Sequence, residues 1–233
     1  MSGFVHGAYP HIMELYGGSP PRFHLDGMPG TPIHEGYTMQ ARNYFYRGIQ
    51  ALMNAQYSTT TISADRNQKG VKYALNDFIR IRLGSLDGFA ATGRKRIQRN
   101  PQFYAAVEQR YGVPAGILVA IHGMETGFGR TMGNVPVVSS ISTVAYDCRR
   151  SSFFTPHALA ALQMVDRGML SPTQKGAAHG ELGHTQFLPG NAMRYGVDGN
   201  GDGRVDFYNE WDALASTANF LRQKGWRPGQ PYQ

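Results

Sequence analysis

The chain has 233 residues, a formal net charge of +7 and 41% hydrophobic residues, which is the composition of a folded globular protein. No apolar run approaches the roughly 20 residues needed to cross a bilayer, and the single cysteine, Cys148, excludes an intramolecular disulfide framework. The positive charge indicates a polyanionic partner. Because the Lys and Arg residues are scattered, charge alone does not distinguish nucleic acid from an anionic polymer of the cell envelope.

The pattern of apolar and turn residues predicts a mostly α fold with an N-terminal arm. Residues 1–38 are rich in Gly, Pro and His, which predicts an extended arm rather than a long helix. A globular domain would follow over residues 39–233. Its helices are predicted at about 39–56, 71–83, 101–111, 137–147, 155–168, 186–195 and 210–224, with a short helical turn opening at Ser171 and Pro172. The Ser/Thr run from Ser58 to Thr61 is interpreted as a break, and Arg94-Lys95-Arg96 as a solvated face.

A further helix, starting near Pro114, carries a single carboxylate, Glu125, within VPAGILVAIHGMETGFGR. Glycines crowd the end of this segment, so the helix should stop near Glu125. A carboxyl group there lies at the negative end of the helix dipole and near apolar side chains, and both effects raise its pKa. Such a group suits general acid catalysis at neutral pH. The alternative is an exposed glutamate at a frayed helix end.

Residues 198–206 read DGNGDGRVD, which matches the start of a calcium-binding loop. The oxygen ligands that would follow one another in this loop are Asp198, Asn200, Asp202 and the backbone carbonyl of Arg204. Position 12 of the loop is Asn209 rather than the usual glutamate, so Glu210 or Asp212 would have to close the shell. An Asp/Gly-rich turn without metal is the alternative.

Two further segments carry polar groups suited to a ligand. Tyr146-Asp147-Cys148-Arg149-Arg150 offers two adjacent guanidinium groups, which suit sugar hydroxyl, carboxylate or backbone acceptors. Residues 180–189, GELGHTQFLP, combine two glycines with an acid, an amide and an aromatic ring. The alternatives are an exposed helix end and a tight loop. His122 and His184 are not favoured as metal ligands or bases on sequence grounds.

Taken in order, the motifs GMETGFGRTMG, AYDCRRSSFF, GELGHTQFLP and VDGNGDGRVDF resemble the lytic murein transglycosylases of the membrane-bound B type. The segments DRNQ and RYGVP before them also resemble that family, and the similarity covers roughly residues 65–227. It implies a lysozyme-like catalytic fold acting on peptidoglycan. It also implies cleavage of the β-1,4 bond between N-acetylmuramic acid and N-acetylglucosamine without water, which leaves a 1,6-anhydro end.

The resemblance assigns the acid and base roles to Glu125, as a substrate-assisted exception to catalysis by two carboxylates. It implies that Tyr146, Arg149, Arg150, Gln186 and Phe187 line the sugar and peptide subsites. It also implies a structural calcium ion, for which the closing ligand would be Asp212. Well-known members have an apolar residue at the position of Glu181. This carboxylate could therefore face Glu125 and contribute to substrate binding, or point outward.

We expect no catalytic cofactor, a monomer, and peptidoglycan glycan strands rather than nucleic acid as the partner. The first residues show no signal-peptide pattern, so either the protein is intracellular or a targeting segment lies outside this sequence. The resemblance implies the periplasm or cell envelope as the location. Two alternatives stay open. One is a lysozyme-like hydrolase in which Glu181 holds a water molecule, and the other is a non-catalytic wall-binding module.

Overall fold

A computed structural model describes residues 47–67 and 73–230, so the predicted arm over residues 1–38 lies outside the described residues. Residues 47–53 are helical. The helices that follow are α1 (Thr59–Arg66), α2 (Leu75–Leu83), α3 (Leu86–Arg99), α4 (Pro101–Tyr111), α5 (Ala115–Thr126), α6 (Val137–Tyr146), α7 (Ser151–Asp166), α8 (Pro189–Tyr195) and α9 (Glu210–Gln223). Strands β1 (Val135–Pro136) and β2 (Lys175–Gly176) pair antiparallel, with Val135 opposite Gly176.

The helices pack around two hydrophobic clusters. The first is built on α6, α7 and α8 and includes Ile141 and Val165, which are both fully buried. The second is built on α4, α5 and α9 and includes Leu118 and Leu214, also fully buried. Helix α9 contributes to both clusters, because Phe220 packs against the first. The C-terminal end of α5 and the loop between β2 and α8 therefore belong to opposite halves of the core.

Apolar spacing predicted α4, α6 and α9 to within one residue, and α4 and α9 also have local start or stop signals. Helix α4 begins with Pro101 at its first position and ends at Gly112, which has a left-handed φ of 70°. The side chain of Asn209 caps α9 by accepting a hydrogen bond from the Trp211 N–H. These helices combine a periodic apolar face with a start or stop signal, and both features can be read from sequence.

The first helix ends before the Ser/Thr run, so the predicted break is present, but the run itself begins α1, a helix that was not predicted. Ser58 is the N-cap, and its hydroxyl accepts a hydrogen bond from the Thr61 N–H at 3.1 Å. The Ser58 N–H in turn donates to the hydroxyl of Thr143 on α6 at 3.0 Å. Serine therefore acts here as a helix start signal, stabilised by packing against α6.

Helix α3 was not predicted, because glycines at 88 and 93 interrupt its sequence and its apolar residues are few. Gly93 is buried, and a side chain there would press on Val119 of α5. The predicted solvated face is wrong for Arg96. Its guanidinium donates to the Glu210 carboxylate at 2.7 Å and to the Phe128 carbonyl at 3.1 Å.

Two smaller predictions also need correction. Pro156 does not lie in the first turn of its helix, because α7 begins earlier, at Ser151. Ser171 and Pro172 form a turn without a helix.

Candidate active site

Glu125 lies in the last turn of α5, which ends where Gly127 adopts a left-handed φ of 59°. Partial burial raises the pKa of the Glu125 carboxyl group above its usual value. The positive charge of Arg82 on α2 opposes this rise, and the negative charge of Glu181 adds to it. The predicted direction of the shift is confirmed, and it favours the protonated form that a general acid requires.

The end of α5 is fixed to the loop between β2 and α8 by two histidines. His184 Nε2 lies 3.2 Å from the Tyr208 carbonyl, which only accepts, so Nε2 carries the proton and Nδ1 is an acceptor. His122 Nε2 therefore donates to His184 Nδ1 across 2.9 Å. Burial lowers the pKa of His184, and it lowers the pKa of His122 to about 3. Both rings are neutral, and their role is to join α5 to the loop.

The loop from 182 to 187 folds back on itself. Leu182 and Phe187 exchange backbone hydrogen bonds of 2.8 and 3.1 Å, which closes a tight turn. Gly183 and Gln186 both have positive φ, of 63° and 54°. A side chain on Gly183 would overlap the carbonyl of Phe207, so the close approach requires glycine there. Strain at a non-glycine residue such as Gln186 is commonly found at functional sites.

Gln186 and Phe187 were both predicted to contact sugar, but the structure places their side chains in different surroundings. The Gln186 amide is half-buried and donates to the Gly183 carbonyl at 2.8 Å, which fixes its position on the loop. Phe187 is only 7% exposed, and its ring packs against those of Phe207 and Phe220. This position favours a packing role for Phe187, in place of the predicted direct contact with sugar.

Glu181 is held by its neighbour His179 and does not point into solvent. The backbone N–H of His179 donates to Glu181 Oε2 at 2.9 Å, and His179 Nδ1 lies 3.2 Å from Oε1. Because a carboxylate only accepts, Nδ1 is the donor of the second bond. Burial alone would raise the pKa of Glu181, but these hydrogen bonds outweigh it and lower the pKa. Glu181 is therefore ionised, and its charge acts on Glu125.

Arg149 and Arg150 converge on one buried carboxylate, Asp65 in α1. Arg149 donates to Asp65 Oδ2 at 2.6 Å and to its backbone carbonyl at 2.5 Å, while Arg150 donates to Oδ1. Burial would raise the pKa of Asp65, but hydrogen bonds from the two guanidinium groups lower it. The side chain of Asp65 is 4% exposed, whereas those of Arg149 and Arg150 are 45% and 34% exposed. The two guanidinium groups are therefore anchored on Asp65, while each arginine side chain is partly exposed.

Two residues of this site were missed at the level of sequence. Asp65 was noted only as part of the DRNQ segment, and His179 was not considered. His179 Nε2 is buried and lies 3.6 Å from Asp65 Oδ1, so the imidazole stands between Asp65 and Glu181. The spacing of His179 and Glu181, two residues apart beside a glycine, was the available signal. Tyr146, at the end of α6, is 50% exposed.

The Asp-rich loop over residues 198–206 has oxygen ligands of the type that calcium prefers. The Gly203 N–H donates to Asp198 Oδ2 at 2.7 Å, which links positions 1 and 6 of the predicted loop. Asp212 is fully buried and accepts the backbone N–H groups of Gly199, Asn200 and Asp206. Asn209 caps α9, so it does not close the loop. In the described residues no group of three or more His, Cys, Asp or Glu side chains is arranged so that it could hold a metal ion. The fit to calcium therefore rests on the chemistry of the oxygen donors.

Comparison with known proteins gives a family match over residues 39–233, to the family described as "Transglycosylase SLT domain". The chain belongs to this family. Membrane-bound lytic murein transglycosylase B of Escherichia coli K12 is 35% identical over 123 residues, which are 52% of this chain and 34% of that protein. The chain thus spans about a third of the length of this curated relative.

Similar solved structures have the same fold. SltB3 from Pseudomonas aeruginosa, in complex with NAG-anhNAM-pentapeptide, is 36% identical with a TM-score of 0.72, covering 81% of this chain and 50% of its own. Escherichia coli Slt35, solved in complex with calcium, is 24% identical with a TM-score of 0.69, covering 87% and 70%. The mostly helical, lysozyme-like fold predicted from sequence is therefore confirmed. Among the described residues, no helix is both long and apolar enough to span a membrane.

Proposed function

We propose that this chain is a lytic transglycosylase that cleaves the β-1,4 bond between N-acetylmuramic acid and N-acetylglucosamine in peptidoglycan and leaves a 1,6-anhydro end. Family membership supports this activity, as does the muropeptide bound by the P. aeruginosa relative. The observation that carries the proposal is Glu125, a carboxyl group at the end of α5 whose raised pKa matches the requirement of a general acid.

One carboxyl group would serve twice. Protonated Glu125 donates its proton to the glycosidic oxygen, and the bond from that oxygen to the anomeric carbon breaks. The substrate's N-acetyl group helps to stabilise the positive charge that develops at this carbon. The muramoyl 6-hydroxyl oxygen then bonds to the carbon and its proton returns to Glu125. No water is consumed, and the acid is regenerated.

The substrate would lie along the exposed sides of Arg149, Arg150 and Gln186. We propose that Arg149 and Arg150 bind sugar and peptide acceptors, and that Tyr146, Gln186 and Glu181 line the same subsites. The partly exposed side chains of Arg149 and Arg150 and the fixed Gln186 amide support this placement. The net charge of +7 suits an anionic envelope polymer. We propose the periplasm or cell envelope as the location, and a monomer as the working form.

We also propose a structural calcium ion, bound by Asp198, Asn200, Asp202, the Arg204 carbonyl and Asp212. The oxygen ligands in this loop support it, and E. coli Slt35 was solved in complex with calcium. The ion would brace the turn that leads into α9, on which Glu210 holds Arg96. It would take no part in the chemistry.

A hydrolase is the second candidate, because Glu181 is an ionised carboxylate whose charge acts on Glu125. Digestion of purified peptidoglycan with the chain and with its Glu125→Gln variant, followed by mass spectrometry of the released muropeptides, separates the two. We expect anhydro ends with the unmodified chain and no release with the variant. Reducing ends would favour the hydrolase, and release by neither protein would contradict both enzymatic assignments.

A further inference from the structure

Asp65, in the last turn of α1, holds both arginines of the turn that joins α6 to α7. Its side chain is 4% exposed. Arg149 donates through Nε to Asp65 Oδ2 at 2.6 Å, and through Nη2 to the Asp65 backbone carbonyl at 2.5 Å. Arg150 donates through Nη2 to the other carboxylate oxygen, Oδ1. One buried residue therefore sets the positions of two neighbouring guanidinium groups.

Other contacts restrict the same two side chains. The Arg150 guanidinium carbon lies 4.9 Å from the ring centroid of Phe154, which is only 3% exposed. The Arg149 backbone N–H donates to Asp147 Oδ1 at 3.1 Å. His179 Nε2 lies 3.6 Å from Asp65 Oδ1, which is too long for a hydrogen bond. The side-chain hydrogen bonds that Asp65 accepts here come from the two arginines.

Stability alone does not require a carboxylate at this position. A buried ion pair costs desolvation, and its replacement by well-packed apolar residues is often neutral or stabilising. The side chains of Arg149 and Arg150, in contrast, remain 45% and 34% exposed. A guanidinium group has five N–H donors, of which Arg149 uses two on Asp65 and Arg150 uses one. Each arginine thus keeps N–H donors that Asp65 does not use, on a side chain that is partly exposed and already ordered.

We propose that Asp65 is a positioning residue for the substrate, which fixes Arg149 and Arg150 so that their remaining N–H donors bind the substrate without first having to be ordered. Ordering a long, flexible side chain costs binding free energy, and a side chain that is already in place avoids that cost. The inference rests on the proposed function, in which both arginines line the substrate subsites. Asp65 acts through the arginines and makes no contact of its own with the substrate.

The charge of Asp65 gives the proposal a sign that can be checked. Loss of that charge leaves both guanidinium groups without their shared counterion, which by Coulomb attraction alone would tighten the binding of an anionic ligand. Loss of the anchor acts in the opposite direction, because the freed arginines must then be ordered on binding. A residue needed only for folding would change the affinity of the folded chain in neither direction. The direction of the change in affinity therefore separates these three roles.

The test is calorimetric binding of a muropeptide, the disaccharide N-acetylglucosaminyl-N-acetylmuramic acid with its pentapeptide. The peptide carries carboxylates, and the molecule lacks the bond that the enzyme would cleave, so affinity is measured without turnover. We expect Asp65→Asn to raise the Kd about tenfold. Arg66→Gln is the matched control, since Arg66 is the next residue of α1, is 64% exposed and pairs with Asp147 at 3.0 Å. It should leave the Kd unchanged.

A double-mutant cycle shows whether Asp65 acts through the arginines. In a chain that carries both Arg149→Gln and Arg150→Gln, the further change Asp65→Asn should leave the Kd unaltered, because no guanidinium group remains to be positioned. An equal rise in Kd with and without the arginines would overturn the inference. So would a Kd that is unchanged or lower in Asp65→Asn, or a failure of the unmodified chain to bind the muropeptide.

Circular dichroism shows whether each variant folds. If Asp65→Asn does not, arginine labelled with nitrogen-15 gives a test in the unmodified chain. The Arg149 Nε–H, which bonds to Asp65, should exchange with water more slowly than that of Arg66, and it should stay protected when the muropeptide shifts the Arg149 resonance. Rapid exchange at Arg149, or a resonance that the muropeptide does not shift, would overturn the inference. Reducing ends in the digestion described above would contradict the proposed reaction but leave this result in place.

Discussion

At the scale of single residues, the ionisation of Glu125 should oppose the stability of the fold. Because partial burial raises its pKa in the folded chain, the charged form is less favourable there than in the unfolded chain. This cost in stability is absent at low pH, where Glu125 is protonated in both the folded and the unfolded chain. It appears as the pH rises past the usual pKa of glutamate and is complete above the folded pKa.

Glu125→Gln should therefore melt at a higher temperature than the unmodified chain at neutral pH, while it loses activity. The difference in melting temperature should shrink as the pH falls below about 4, where an ordinary glutamate is protonated. Scanning calorimetry over a pH series measures this, with Glu108→Gln as the control for a change of charge alone. A neutral-pH melting temperature below that of the unmodified chain would contradict the account.

At the scale of elements, the loop from 182 to 187 depends on the glycine that lets it approach Phe207. Gly183→Ala would combine a left-handed φ of 63° with overlap on the Phe207 carbonyl. A strained backbone conformation alone costs about 1–3 kcal/mol. Because of the added overlap, we expect Gly183→Ala to lower the free energy of unfolding by more than this and to impair activity. Gly168→Ala is the matched control, since Gly168 has a φ of 70° with no atom within 4 Å of an added methyl.

The control should lose only about 1–2 kcal/mol, the cost of the left-handed conformation itself. Urea denaturation of the two variants gives both values. Equal losses would mean that the loop moves away from Phe207 without difficulty, and that the close approach does not hold Gln186 and Glu181 in place.

The calcium loop gives a second test at this scale. Binding to the folded chain alone raises stability by mass action, by about 2.7 kcal/mol when the free ion is a hundredfold above its Kd. We expect calcium to raise the melting temperature relative to EDTA, and Asp198→Ala to abolish that rise. Glu108→Gln should keep it. An unmodified chain that melts alike in calcium and in EDTA would contradict the proposed ion.

What could be predicted from sequence differs between these elements for physical reasons. Helices α4 and α9 combine an apolar period with a start or stop signal, and α6 has the apolar period without a side-chain cap, so local sequence specifies them. Helix α3 depends on the close fit of Gly93 against Val119, and α1 on a hydrogen bond from Ser58 to Thr143, which lies far along the chain. Contacts of this kind leave no periodic pattern, so sequence alone misreads them.

The candidate site shows the same division. The stretch around Glu125 predicted the direction of its pKa shift, but a lone acid before a run of glycines also fits an exposed glutamate, and its catalytic assignment came from the order of the motifs along the chain. The anchoring of Arg149 and Arg150 by Asp65 joins residues more than eighty positions apart. Phe187 was expected to contact sugar, but its place against Phe207 is fixed by tertiary packing.

At the scale of the whole molecule, the candidate site draws residues from the elements of both hydrophobic clusters. Helix α5 brings Glu125 from one half, and the loop after β2 brings Glu181 and Gln186 from the other. The histidine pair His122–His184 fixes the two halves to each other. A site assembled in this way needs the complete fold, which agrees with a family match that extends over residues 39–233.

The central claim is that bond cleavage proceeds without water. Digestion of purified peptidoglycan in oxygen-18 water, with mass spectrometry of the released muropeptides, tests it directly. The account predicts products one water lighter than reducing muropeptides, with no oxygen-18 at the muramoyl end. Products that carry oxygen-18 at that end would show that water attacks the anomeric carbon, and would contradict the assignment of Glu125 as both acid and base in an anhydro-forming reaction.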